Sequence, residues 1–407
     1  MLFPYKNNIG ISSDLWNYNL VDTFNVSEEN IKKVISYNKR FCNEYYFPIV
    51  LAYNNTQPPF LLSSDKGDRE FKFNIPDFVR KDVENGVCKI VLDYSLEGYT
   101  DIDWDFLLSS LGGIQEKDIL FLTSVYNHEV TVKNTNIKSE YQNFWEVNLF
   151  NSWQLGSTFS QFDEDSDYQK FRKQIKRIEN KAPREFHFTS YNRRPREHRI
   201  ALLTELYKEQ LLQNNIYSWG GNFEYDFNID QFSMHVNRMY YKSDFQDDNY
   251  KLIKYLTEKQ EHRVDFSINP AWDHGWKDVY STCFTVVSET YANSDATFLS
   301  EKSFKPFANG QPFVMWGDVG TVQALREHGY DVFDKWINHS YDSIKDKKER
   351  LDAVIKEVRR LSDISKSDWV DTLFDMKDAM LANNENFHKC YLRRIETKYL
   401  LNYLLDK

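Results

Sequence analysis

The residues best placed to do chemistry fall between 280 and 333. Glu289 follows an apolar, β-branched run at 283–287 that reads as a strand, bounded by Ser288-Glu289-Thr290. Ser300 stands where a helix N-cap belongs, with Glu301 and Lys302 in the first turn and Gly310 as the stop. A helix N-terminus offers unpaired N–H groups and positive dipole charge, so it suits a phosphate, and Lys302 adds a full charge there. Glu301 disfavours phosphate but could accept hydrogen bonds from ribose hydroxyls. A first-turn acid and a surface lysine are also common without any ligand.

A second cluster is basic. Residues 170–199 hold eleven Lys or Arg against three acids, a local net charge of +8. Within them S-Y-N-R-R-P-R joins a strand at 185–189 to a helix from Glu197 through Leu212. Arginines at a strand's carboxyl end make a bidentate phosphate clamp, and Arg193 and Arg194 are the candidates; spacing does not choose between them. The same stretch would also suit a DNA backbone, whose phosphates need only Lys and Arg. Two carboxylates stand near the end of an earlier strand at 89–95. Glu97 is the first candidate for a general base and Asp93 the second.

The elements that must carry these residues alternate. Strand 283–287, helix 300–310, strand 311–316 and helix 321–328, stopped by Gly329, follow one another. Alternation of this kind implies a parallel sheet, which binds ligands at the carboxyl ends of its strands. The N-terminal half repeats the plan. A strand at 46–53, a helix at 76–85, a strand at 89–95, a helix at 104–111 ended by Gly112-Gly113, and a strand at 118–124 give it its own parallel sheet. Ser27 caps a short helix at 31–37, and 144–155, with two tryptophans, reads as a strand with an apolar face. Residues 168–180 form a basic amphipathic helix. Ser218 to Asn222 reads as a turn, 232–269 as a locally helical insertion, and 346–361 and 367–405 as helices. The domain boundary falls between the acidic loop 163–167 and Pro183, giving domains 1–180 and 181–365 and a helical tail 366–407.

A chain of 407 residues accommodates two domains of ordinary size. No run is long and apolar enough to span a bilayer, and the first residues do not resemble a signal peptide. The four cysteines share no metal-ligand spacing, and free thiols in a reducing cytoplasm fit them. The net charge of -10 argues against a surface coated throughout for nucleic acid, though not against a local basic face. Asp265, Asp273 and Asp278 form no D-x-D triad, and there is no zinc spacing, Walker loop or G-x-S-x-G elbow, so no metal is expected.

The S-E-K-S-F-K-P-F segment, followed by Q-P-F-V and a glycine, resembles the donor-binding half of GT-B glycosyltransferases, in particular the fucosyltransferase-like families. It is also similar to phage-encoded proteins sharing S-E-K-x-F-K-P and G-x-x-x-x-L-R-x-x-G-Y. The resemblance spans 186–361. It implies two Rossmann-like domains facing a central cleft, with terminal helices that commonly return to the first domain. It implies that Lys302 contacts a pyrophosphate, that Glu301 contacts the ribose and that an arginine of the 193–194 pair binds phosphate. Glu289 and Ser300 complete the expected donor site. The implied activity is metal-independent transfer of a sugar from a UDP- or GDP-linked donor, with no permanently bound cofactor, in the host cytoplasm if the chain is phage-encoded. The acceptor stays open between a hydroxylated base in double-stranded DNA, the first choice, and a surface glycan or protein. The rival class is a non-catalytic nucleic-acid-binding or virion-associated protein.

Overall fold

The computed structural model describes residues 45–51, 73, 75–95, 98, 100–155, 166–192, 196–219, 228–242, 247–258 and 275–394. The expected helix at 31–37, Glu97, Arg193 and Arg194 lie outside the described residues. The chain divides into two compact units. One holds the described residues 45–144 and 391–394, the other Trp145–Cys390. Each carries a four-stranded parallel sheet, so the protein is mixed α/β with a helical C-terminal region. Among the described residues no helix is long and apolar enough to cross a membrane.

The first unit runs β1 (Tyr45–Val50), α1 (Asp77–Glu84), β2 (Cys88–Tyr94), α2 (Trp104–Ser110), β3 (Ile119–Thr123) and β4 (Lys138–Tyr141). Its strands lie side by side in chain order, all parallel. Pro48 sits on β1, the edge strand among the described residues, where a missing N–H is tolerated. β2 is buried on both faces. Ile90, Leu92 and Tyr94 join Val79, Val83, Leu107 and Phe121, while Val91 meets Leu120 and Leu122. Burial on both faces is why β2 and β3 read as unbroken apolar runs rather than as alternation. Asp103 caps α2 by accepting from the Phe106 N–H at 3.1 Å.

The second unit begins with a correction. Residues Phe144–Leu155 form a helix, α3, where the sequence suggests a strand. α4 (Asp167–Glu179) follows, then β5 (Phe186–Asn192), α5 (Glu197–Lys208), β6 (Ile216–Trp219), α6 (Ile229–Tyr241), α7 (Asp248–Glu258), α8 (Trp276–Ser281) and β7 (Thr282–Ser288). α9 (Glu301–Asn309), β8 (Phe313–Trp316), α10 (Thr321–Glu327), α11 (Lys347–Ser362), α12 (Lys366–Asp375) and α13 (Lys377–His388) complete it. α4 belongs here and not to the first unit, so the division lies before the 180/181 boundary drawn from the sequence. The reason is packing: Phe171, Ile175 and Ile178 are buried along one stripe of α4, and its Arg177 donates to the Tyr280 carbonyl at 3.1 Å. α12 and α13 also belong to this unit. Trp369 of α12 stacks on Phe284 of β7 at 5.4 Å, and Asn383 of α13 exchanges hydrogen bonds with the backbone of Asp331.

The second sheet has the order β6-β5-β7-β8. β5 is followed by β6 on one side, and the chain then returns to place β7 on the other. Right-handed crossovers therefore leave β5 and β7 toward opposite faces and open a crevice at their carboxyl ends. The described strands of the first sheet contain no such reversal. Cys88, Cys283 and Cys390 are buried, and burial pushes the Cys283 thiol up to about 12, which leaves it unreactive.

Gly310 closes α9 in the left-handed region at φ 60, and a Cβ there would stand 2.8 Å from Cε2 of buried Phe171. Gly310→Ala should therefore lower stability by about 1–3 kcal/mol in urea unfolding, from backbone strain plus displacement of a packed ring. A change within error of zero would mean that α4 yields freely at this contact.

Candidate functional site at the carboxyl edge of the second sheet

The crevice between β5 and β7 is lined by two loops. Glu289, one residue past β7, is fully buried. Its Oε1 accepts from the Ser300 N–H at 2.9 Å, the Ser300 hydroxyl at 2.8 Å and the Ser303 hydroxyl at 2.7 Å. Its Oε2 lies 2.7 Å from the Ser300 hydroxyl and accepts from the Thr290 N–H. The carboxylate thus ties the start of α9 to the end of β7, and with no exposed surface it positions the site rather than touching a ligand. Ser300 is the N-cap, its hydroxyl accepting from the Lys302 N–H at 3.3 Å.

Lys302 carries its charge at the mouth of this cluster. Its Nζ lies 2.6 Å from Glu301 Oε1 and 3.3 Å from both Thr290 Oγ1 and Ser300 Oγ. Its side chain is 28% exposed against 8% for Glu301. Burial pushes the Glu301 carboxyl up, but the charges of Lys302 and Lys305 and the Lys302 hydrogen bond outweigh it, and the net displacement is downward. Glu301 is therefore an ionised partner of Lys302. Its 6% residue exposure leaves it little surface for the ribose contact that the resemblance implies.

The loop after β5 supplies what the sequence reading passed over. Arg196 donates from Nη1 to the Thr290 carbonyl at 2.7 Å, and its guanidinium lies 5.1 Å from the centre of the Tyr291 ring. His198 is buried, with Nε2 2.8 Å from the Glu289 carbonyl; Arg199 Nη2 donates to that same oxygen at 3.2 Å. Burial and the neighbouring Arg199 charge hold the His198 imidazole well below its usual range, so it is neutral and donates from Nε2. Thr290 is thus the meeting point of two cations, Arg196 from one loop and Lys302 from the other.

One lateral row of the sheet is polar and incompletely satisfied. Asn192 lies opposite Trp219, and Ser288 opposite Trp316. The Thr189–Thr285 pairing, carried three residues on, sets Asn192 opposite Ser288. Trp219 Nε1, Asn192 Oδ1 and Ser288 Oγ are all buried without a hydrogen-bond partner among the described residues. Such groups cost about 1–3 kcal/mol each when left unmet, so three on adjacent strand ends point to water or a ligand as their partner.

Asp318, just beyond β8, was not singled out from the sequence either. It accepts from the Ser294 N–H at 2.7 Å and the Ser294 hydroxyl at 3.0 Å, and burial pushes its carboxyl up to about 7. Asp93, at the end of β2 in the first unit, is half-buried and accepts from the Ser95 N–H at 3.0 Å and the Ser95 hydroxyl at 2.5 Å. It closes its strand in an Asx-type turn. Of the expected donor residues, Glu289, Ser300, Glu301 and Lys302 come together.

No family model matches the chain, and no curated protein matches it. Among solved structures it is similar to the N-terminal domain of trehalose-6-phosphate phosphatase from Candida albicans, over 98% of this chain and 80% of that one, with a TM-score of 0.39 and 8% identity. A likeness that slight informs neither substrate nor reaction.

Proposed function

We propose that the second unit is the nucleotide-sugar site of a glycosyltransferase of GT-B type, working on an acceptor hydroxyl. The observation that carries this reading is the convergence of Arg196 and Lys302 on Thr290 at the switch between β5 and β7. A diphosphate arriving there meets the Arg196 guanidinium, the Lys302 ammonium beside its Glu301 partner and the N-terminus of α9, which together stabilise the charge of a departing nucleoside diphosphate. In that reaction the acceptor oxygen bonds to the anomeric carbon, the bond from that carbon to the diphosphate breaks, and the acceptor's proton passes to a base. Asp93 and Glu97 remain the candidates for that base. The acceptor we favour is a hydroxylated base in phage DNA, with a glycan or a protein as the alternatives.

The test is a thermal-shift panel with UDP, GDP, CDP and their sugars, on the wild type and on Lys302→Ala. Stabilisation by one nucleotide family is expected, with affinity falling about tenfold or more in the variant. Each shift is read against the variant's own ligand-free midpoint, because Glu301 loses its partner. No shift with any nucleotide at millimolar concentration would sink the reading.

One observation favours the rival class. Arg172, Lys173 and Lys176 of α4 are exposed together, a small basic face suited to nucleic-acid phosphates. DNA binding that weakens steeply with salt, in a protein indifferent to every nucleotide, would transfer the assignment to a binding protein.

A further inference from the structure

A second pocket lies in the same unit, away from the β5–β7 crevice. It encloses about 780 Å³ beside α10 and the loop 334–343, within the size range of small-ligand sites. Its walls combine the Trp336 ring with two arginines that are each held by a carboxylate. Arg326 grips Asp334 through Nε at 2.8 Å and Nη2 at 2.7 Å. Arg360 grips Glu357 through Nε at 2.8 Å and Nη2 at 2.6 Å, and its Nη2 also donates to the Trp336 carbonyl at 2.8 Å. The Arg326 hydrogen bonds hold the Asp334 carboxyl below its ordinary range, so that pair stays ionised.

These pairs fix planar donors and acceptors in place. Each guanidinium keeps N–H groups that no acceptor among the described residues uses, and the Asp334 side chain is 56% exposed. Exposed Asn338 keeps its side-chain NH2 group available while its Oδ1 accepts from the Ser340 N–H at 2.9 Å. The half-buried Trp336 ring carries the exposed Lys335 ammonium 4.8 Å from its centre. The backbone that sets this loop is strained: Phe333, an aromatic residue, is held at φ 67 and turns the chain into Asp334. Strain of that kind persists where the surroundings over-determine it.

Charge decides what such a pocket accepts. An anion would have to displace a carboxylate from a bidentate guanidinium or rely on the single exposed ammonium of Lys335, because both arginines are already neutralised. A neutral polyol needs no such exchange. Adjacent hydroxyls can donate to Asp334 and accept from the unused N–H groups, while an apolar ring face lies on the indole. We propose that this pocket is a binding site for a neutral saccharide, separate from the diphosphate site and independent of the donor reading.

The experiment is saturation-transfer NMR on the full chain with glucose, galactose, N-acetylglucosamine, maltose and cellobiose, and with inorganic phosphate followed by phosphorus line-broadening. Wild type, Trp336→Ala, Asn338→Ala and Lys302→Ala are compared, each checked for its fold by circular dichroism. At least one saccharide should bind the wild type at millimolar concentration, weaken about tenfold in Trp336→Ala, weaken also in Asn338→Ala, and bind Lys302→Ala unchanged. Should Trp336→Ala not fold, Asn338→Ala alone carries the comparison. The proposal is overturned if no saccharide binds at tens of millimolar, if binding survives both pocket substitutions, if Lys302→Ala abolishes it, or if phosphate alone binds.

Discussion

Glu289→Ala should be the most damaging single substitution at the candidate site, lowering unfolding free energy by about 3–5 kcal/mol, since several buried donors lose their acceptor at about 1–3 kcal/mol each. The carboxylate it removes accepts from the Ser300 N–H, the Ser300 and Ser303 hydroxyls and the Thr290 N–H, in a place with no exposed surface. Alanine leaves those donors facing a void that supplies no acceptor, so each keeps its desolvation penalty. Because Ser300 caps α9 and Glu289 anchors Ser300, the first turn of the helix should open. Amide exchange at Ser300 and Lys302 should quicken by more than at Phe307. Glu289→Gln keeps the shape and one acceptor oxygen, and should lose about 1–3 kcal/mol. If Glu289→Ala unfolds within about 1 kcal/mol of the wild type, the carboxylate is not what joins α9 to β7, and nucleotide binding need not depend on it. The same variant should also lose the nucleotide response, since Lys302 is presented from the turn that Ser300 starts.

What the sequence made legible here was local. Ser300 signals a cap and Gly310 a stop through their own backbone preferences, so α9 and its charged first turn could be read without knowing the fold. β2 and β7 were legible for a related reason, since strands buried on both faces show as short apolar runs. The contacts that make the site were not legible. His198 meets the Glu289 carbonyl across 91 residues, and Arg196 meets Thr290 across 94. Only the β6-β5-β7-β8 order brings those loops together. The R-x-H-R spacing from Arg196 to Arg199 does not itself distinguish a structural histidine from a catalytic one.

The helix α3 shows how a correct composition can give a wrong period. F-W-E-V-N-L-F-N-S-W-Q-L is rich in aromatic and apolar residues, which favours a strand on propensity. Its polar Glu146 should mark a solvated face. Instead Glu146 is fully buried and accepts a hydrogen bond from the Tyr330 hydroxyl, so the one acid near its start points inward. β6 was missed for the opposite reason. Only four residues long and followed by Gly220-Gly221, it reads as a turn until its pairing with β5 is known. The division between the units escaped for a third reason: the boundary drawn at 180/181 left α4 with the first domain, while its apolar stripe is buried in the second unit.

The remaining large effect is a pH dependence centred on Asp318. Burial pushes its carboxyl up to about 7, and the nearby Glu289 charge adds to that; the Ser294 bonds and Arg350 offset only part. Between its unfolded value near 3.8 and about 7, the folded protein binds this proton and the unfolded chain does not. Its contribution to stability is therefore greatest below about 4 and is lost as pH rises through 7, by about 4 kcal/mol in all. Asp318→Asn cannot titrate, and its amide can still meet Ser294, so the variant should gain on the wild type as pH rises. Urea unfolding of both proteins from pH 5 to pH 8 reads the difference directly. Asparagine should be neutral to mildly destabilising at pH 5, where Arg350 over the Trp316 ring at 5.3 Å has little carboxylate charge to lose. By pH 8 it should be the more stable of the two. A difference that stays flat across that range would mean that Asp318 is ionised throughout and paired with Arg350. The variant would then be less stable at every pH, because the substitution would leave a buried guanidinium without its counter-charge.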